Sequence, residues 1–268
     1  MNKIRDPAVA GMFYPADEQT LKDDVLAYLA QTHDKVAQQP KALVVPHAGY
    51  IYSGPIAATA YNQLIPFKDK INRVVLLGPS HRVGFSGLAL PESDYFYTPL
   101  GEIPVDKQAV KELSHLTQVV VSERAHREEH SLEVQLPFLQ LILDEFTLVP
   151  IVVGDAERHE VAEVIKQAWC GENEHCDEHT LIVISSDLSH YHKYDEAKQR
   201  DRATSDAIEN LKPDLIHYDD ACGRNGLNGM ITVAEERGLT AELLDLRNSG
   251  DTAGDKNRVV GYGAYVFH

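Results

Sequence analysis

The sequence predicts an α/β fold: a single domain spanning residues 1–268, with a central, mostly parallel sheet flanked by helices. Two observations predict it. Short β-branched apolar runs alternate with stretches of helical periodicity, the pattern of strands joined through crossover helices. The apolar runs are also continuous, as in "ALVV", "RVVLL" and "LIVIS", which calls for cover on both faces of a strand.

Taken in order, a helix is predicted near Gln19–Gln31 and a strand over Ala42–Pro46, followed by a helix near Gly54–Leu64 and a strand over Arg73–Leu77. A helix near Lys107–Leu116 and a strand over Gln118–Val121 come next. In "SLEVQLPFLQLIL" the periodicity predicts a helix near Leu132–Asp144 that kinks or restarts at Pro137, because proline lacks the N–H that a helix interior needs. A strand over Phe146–Val153, a helix near Arg158–Trp169 and a strand over Leu181–Ser185 complete the middle of the chain. Helices near Asp195–Asn210 and Leu227–Arg237, then strands over Ala241–Leu246 and Val259–Phe267, close it.

Composition narrows the class of function. With 25 basic and 41 acidic residues the net charge is −16, which argues against nucleic acid or an anionic membrane as partner, since both need positive fields. No apolar run approaches the roughly 20 residues that span a bilayer. The start, "MNKIRDPAVAGMFYP", does not read as a secretory leader, and three scattered cysteines do not read as a disulfide framework. A cytoplasmic location is the expectation.

In α/β folds ligands gather outside the ends of the strands. Here His47 follows "LVVP", His81 follows "LLGPS", and "IVISSDLSHYH" puts Asp187, His190 and His192 after a third apolar run. Loop histidines are often merely solvated, and turn chemistry accounts for Gly78, Pro79 and Gly49; it leaves the coincidence of imidazoles at three strand exits unexplained. Asp187 reads equally as a capping residue or a functional carboxylate.

Three further stretches carry chemistry-bearing residues. In "ERAHREEHSLEVQL", His126 and His130 are four apart and share a face if helical, and Ser131 suits a helix N-cap. In "CGENEHCDEH", Cys170, His175, Cys176 and His179 form either a metal knot of unusual spacing or a surface loop. In "DDACGRNG", Cys222 reads as a small buried apolar residue or as a thiol activated by Arg224.

Together these stretches resemble the Memo family, also called AmmeMemoRadiSam system protein B. "DPAVAGMFYPAD", "PHAGYIYSG", "LLGPSHR", "EHSLEVQLPFL", "SSDLSHY", "ACGR" and "SGDTAGDKNRVVGYGAY" occur in the family's order over nearly the whole chain. The resemblance implies a fold similar to the LigB-like class III extradiol dioxygenases. It implies metal ligands at His47, His81 and Cys222, an acid/base at His190 with Asp187 beside it, and pocket positions at His130 and Arg224. Asn225-Gly226 follows Arg224 where the family often has a proline soon after its Cys-Gly, which loosens the expectation for that loop.

Two imidazoles and a thiolate suit Fe(II), copper or zinc. Iron is expected first by analogy with the dioxygenase fold, copper second, and zinc would point to hydrolysis. A cysteine-nucleophile hydrolase is a weaker third reading. The expected function is a metal-dependent redox enzyme, dioxygenase-like, with an unknown small-molecule substrate. The alternative is a non-catalytic metal-binding accessory or adaptor acting with a radical-SAM or AMMECR-like protein partner.

Overall fold

The computed structural model describes residues 2–32, 36–171 and 175–268. Its strands, in chain order, are β1 (Ile4–Arg5), β2 (Ala42–Val45), β3 (Arg73–Pro79), β4 (Leu88–Leu90), β5 (Tyr95–Thr98), β6 (Gly101–Pro104), β7 (Val119–Val121), β8 (Thr147–Val153), β9 (Thr180–Ser185), β10 (His190–His192), β11 (Ala241–Asn248) and β12 (Val259–Phe267). The α-helices are α1 (Glu18–Leu29), α2 (Tyr50–Tyr61), α3 (Lys107–Leu113), α4 (Glu123–Arg127), α5 (Leu136–Ile142), α6 (Arg158–Cys170), α7 (Tyr194–Glu209) and α8 (Arg224–Arg237).

The large sheet runs β10-β12-β2-β9-β3-β8-β4-β7, with β11 also paired to β12. Its centre, β2-β9-β3-β8, is parallel, while β12 joins β2 and β4 joins β8 antiparallel, so the sheet as a whole is mixed. Every residue of β2 and β9 is buried, as the unbroken apolar runs require for strands covered on both faces. Helices α6 and α8 pack on each other and on β3 and β9, while α2 packs on β2, β11 and β12 with α1 and α5 against it. Nearly all the buried apolar residues form one continuous core. Among the described residues no helix is long and apolar enough to cross a membrane.

Local chemistry explains the boundaries. Asp17 caps α1 by accepting the Thr20 amide at 2.9 Å, and Leu21, Val25 and Leu29 form its buried stripe. Helix α2 begins at Tyr50, four residues earlier than its apolar pattern suggests, and carries Pro55 inside it. Pro137 restarts the helix: a 3₁₀ turn over Glu133–Gln135 gives way to α5, with the proline in the first turn, where its missing N–H costs nothing. Ser131 is not an N-cap; its hydroxyl donates to the Pro79 carbonyl at 2.9 Å. Strand β3 runs two residues further than its apolar core, through Gly78 and Pro79.

The short strands β1, β4, β5, β6 and β10 carry too few residues to show a period in the sequence. Of these, β1, β5 and β6 form a separate small sheet. The Cys170–Cys176 pair, not expected to be joined, is a disulfide at the end of α6. Both thiols are therefore withdrawn from any metal knot with His175 and His179, and His179 Nδ1 donates to the Lys70 carbonyl at 2.7 Å. Part of that polar stretch, residues 172–174, lies outside the described residues.

Candidate metal centre

The parallel register brings the ends of β2, β9 and β3 level: Val45 pairs with Ser185, and Ile184 with Leu77. The residues just past those ends, His47, Ser186-Asp187 and His81, therefore leave the sheet on one side. Cys222 arrives on the segment that opens α8. Gly223 permits this approach, because a Cβ there would stand 2.6 Å from the Ser185 carbonyl oxygen. Gly78 does the same for the 131 segment, where an added Cβ would lie 2.6 Å from Ser131 Oγ.

The result is a triangle of donors. One ligand atom each from His47, His81 and Cys222 lies within 4.8 Å of the others. His47 Nε2 is 3.3 Å from Cys222 Sγ, and the His47 and His81 ring centres are 5.2 Å apart. His47 is buried, whereas His81 borders a cavity of about 890 Å³ that Cys222, His190 and Arg224 also line.

Hydrogen bonds select the tautomers. Ser185 Oγ spends its proton on the Ser131 carbonyl at 2.6 Å and accepts Gln135 Nε2 at 2.8 Å. His47 Nδ1, 2.9 Å from that oxygen, must therefore be the donor, which leaves Nε2 with a free lone pair. Burial, and then the neighbouring His81 and His130, hold the His47 pKa well below its usual value, so the ring is the neutral form that binds metals.

His81 is oriented by a carboxylate. Glu129 Oε1 accepts His81 Nδ1 at 2.9 Å and the amides of His130 and Ser131 at 2.9 Å, while Oε2 accepts the His81 amide at 2.6 Å. Although burial opposes ionisation, the bonds from His81 and the backbone win and lower the Glu129 pKa to about 2. His81 Nε2 is thereby left free for a ligand role.

Glu129 and Ser185 are the residues that sequence reasoning misses. Glu129 stands beside His130 in "REEHS", but nothing in that string shows which carboxylate turns inward.

Asp187 is 5% exposed, and burial raises its pKa. It makes no hydrogen bond to His190. Its Oδ1 accepts the His47 amide at 2.7 Å, and its own amide points at Cys222 Sγ at 3.3 Å, so it ties the His47 and Cys222 loops together. Cys222 follows the buried reading and not that of an activated thiol: burial first, and the Asp187 carboxylate second, push its pKa up, and Arg224 does not offset them. The guanidinium lies instead over the Tyr218 ring, 5.5 Å from its centre.

His190 Nδ1 donates to the Leu188 carbonyl at 2.8 Å. Tyr191 next to it adopts φ 65°, a backbone region that large side chains seldom occupy. His130 stacks on His81 at 4.6 Å, and its Nδ1 sits 3.5 Å from Glu129 Oε1 without a hydrogen bond. His126 does not join the site. It lies in α4, which ends before His130, and its Nε2 donates to the Ala89 carbonyl at 2.9 Å. Asn225 anchors the loop after Cys222 by donating from Nδ2 to the Gly154 carbonyl at 3.0 Å.

Behind the site stands a second buried carboxylate. Glu133 pairs with Arg5 and accepts the Tyr14 hydroxyl at 2.6 Å and the amides of Ala8 and Val9 at 2.7 and 2.9 Å. Arg5 also donates to the carbonyls of His126 and Glu129. The N-terminal segment thus holds the 126–133 stretch in place.

Comparison with known proteins gives the chain's family and a structural likeness. Residues 5–266 match the family described as Memo-like protein. The chain is 38% identical over 282 residues to a MEMO1 family protein of Aquifex aeolicus, covering 99% of each chain. It is 38% identical to one of Ignicoccus hospitalis with 98% of each covered, and 35% identical to one of Methanocaldococcus jannaschii with 99% of each covered. Among solved structures, an uncharacterized protein of Escherichia coli K12, JW3007, shares the fold with a TM-score of 0.51 at 12% identity, over 84% of this chain and 99% of that one.

Proposed function

The chain belongs to the Memo-like protein family, and from that premise we propose that it is a metal-dependent redox enzyme. The observation that carries the reading is the triangle of His47, His81 and Cys222, with donor atoms within 4.8 Å of one another beside an open cavity. The donor set fits a metal ion: two imidazoles, each with its Nδ1 proton engaged elsewhere, and one sulfur. Fe(II) is the preferred occupant, by likeness of fold to the LigB-like dioxygenases, with copper second. When bound, such an ion supplies redox chemistry and a point of attachment for a substrate oxygen.

The protein's own part is to position groups and move protons. Ser185 and Glu129 keep the two imidazoles in the ligating tautomer. Asp187 braces the His47 and Cys222 loops against each other. His190 gives its Nδ1 proton to Leu188, so its Nε2 is the acceptor suited to take a proton from a substrate hydroxyl. In this reading Arg224, on the cavity wall, and His130, stacked on His81, are the groups that contact the substrate.

Anaerobic purification with metal analysis, repeated on H47A, H81A and C222A, tests the reading. Loss of metal in all three supports it, and metal content unchanged in all three overturns the site. Oxygen uptake over a series of catechols, with H190A as control, then separates a catalyst from an accessory. Uptake above free-metal background that disappears in H190A is expected. Retained metal without uptake would favour the accessory role with a radical-SAM or AMMECR-like partner.

A further inference from the structure

We propose that the cavity beside the metal centre takes a small organic monocarboxylate, gripped by Arg224; the assignment rests on the reading above only in which end of that molecule would react. The cavity, about 890 Å³, is the size of a small-ligand site. Arg224 lines it, half-buried, two residues beyond Cys222.

The chain carries 41 acidic residues, yet among the described residues no carboxylate lies within ion-pair distance of the Arg224 guanidinium. The guanidinium carbon lies over the Tyr218 ring, 5.5 Å from its centre. A guanidinium whose partner is an aromatic face spends none of its N–H groups on an acceptor and keeps them free for a bidentate oxyanion. Arg200 and His192, which also line the cavity, are engaged: Glu196 Oε1 is 3.2 Å from Arg200 Nε and 3.0 Å from His192 Nδ1.

The charge around Arg224 sets the class of anion. Asp155 and Asp219 also border the cavity, both exposed. One guanidinium sharing a cavity with two carboxylates, in a protein of net charge −16, accepts a single negative charge more readily than a dianion such as a phosphate monoester. The remaining wall offers Leu77, Val83, Phe85, Val153 and Leu188 to an apolar body. A carboxylate on a compact apolar or aromatic frame satisfies both requirements.

Calorimetric titration of the full chain with benzoate, benzamide and phenyl phosphate, in metal-free and zinc-loaded forms, tests this. Benzoate is expected to bind both forms of the wild type, about 10- to 100-fold more weakly to R224Q, and with intermediate affinity to R224K. Benzamide is expected to bind wild type and R224Q alike, below benzoate on the wild type, and phenyl phosphate to bind less well than benzoate. Equal benzoate affinity in wild type and R224Q overturns the proposal, as does absence of millimolar binding to the wild type or a preference for phenyl phosphate. If R224Q melts far below the wild type, Y218A, which frees the guanidinium from its ring, takes its place with the same criterion. Benzoate binding only to zinc-loaded protein, indifferent to R224Q, puts the carboxylate on the metal: the proposal then fails while the metal centre stands. Benzoate binding by metal-free protein that takes up no zinc has the opposite meaning.

Discussion

His81 and Glu129 are joined twice: the carboxylate takes the His81 ring at Nδ1, 2.9 Å away, and the His81 backbone amide at 2.6 Å. A group held at ring and backbone together has little freedom to turn, so the imidazole is preorganised. In E129Q the amide nitrogen meets an N–H donor that the carboxylate accepted. Metal affinity is expected to fall about 10- to 100-fold, as when the partner of a ligating histidine is lost. Competition against a chromophoric chelator measures it, and wild-type affinity in E129Q would remove Glu129 from this role.

Ser185 fixes the other imidazole. S185A deprives His47 Nδ1 and Gln135 Nε2 of an acceptor and the Ser131 carbonyl of a donor. The expected outcome is a weaker metal complex and a loss of about 1–3 kcal/mol in the metal-free protein, from buried groups left without partners. Urea unfolding checks the second part. An unchanged midpoint would mean that these groups find other partners.

The Arg5–Glu133 pair anchors the segment that carries Glu129 and His130. With side chains 1% and 0% exposed, it belongs to the class in which removing one partner strands a buried charge at a cost of about 3–5 kcal/mol. R5M is expected to lower the thermal midpoint by roughly 10 °C. R5K should rescue little, because an ammonium cannot serve the Glu133 carboxylate and two carbonyls in a fixed fork. Full rescue by lysine would argue that charge alone matters.

Asp201 sets a pH dependence. It is 2% exposed and accepts the Ser189 amide at 3.0 Å; burial, the largest influence, raises its pKa to about 6, from an ordinary value of 3.8. The folded protein therefore holds this proton where the unfolded chain has released it. Stability should fall as pH rises from about 4 to about 6, by up to about 3 kcal/mol, and then level off with respect to this group. D201N keeps an acceptor for Ser189 without the charge and should flatten that part of the profile. A wild-type slope in D201N would show that another group titrates there.

How much of this was legible in the sequence depended on range. The unbroken runs of β2, β3, β8 and β9 announced a covered sheet, and their ends pointed to His47 and His81 because parallel strands deliver their exits to one side. Cys222 gained its meaning from the resemblance, since a lone cysteine in "ACGR" reads equally well as packing. Glu129 stayed hidden because its function depends on contact with His81, 48 residues earlier in the chain. Ser185 was hidden likewise, as it sat inside an apolar strand whose last residue looked like an ordinary terminus. Of the two readings of Cys222, a small buried residue or a thiol activated by Arg224, the first holds: the guanidinium turns to Tyr218 and burial governs Cys222. The Cys170–Cys176 disulfide is a local pairing that a search for a chain-wide framework passed over.

X-ray absorption at the metal edge of the loaded protein tests the central claim most directly. The account predicts a mixed shell of imidazole nitrogen and one sulfur at about 2.3 Å for a zinc-loaded sample, with the sulfur absent in C222A and imidazole scattering reduced in H47A and H81A. A shell of oxygen and nitrogen alone in the wild type, or sulfur scattering that survives in C222A, would contradict it.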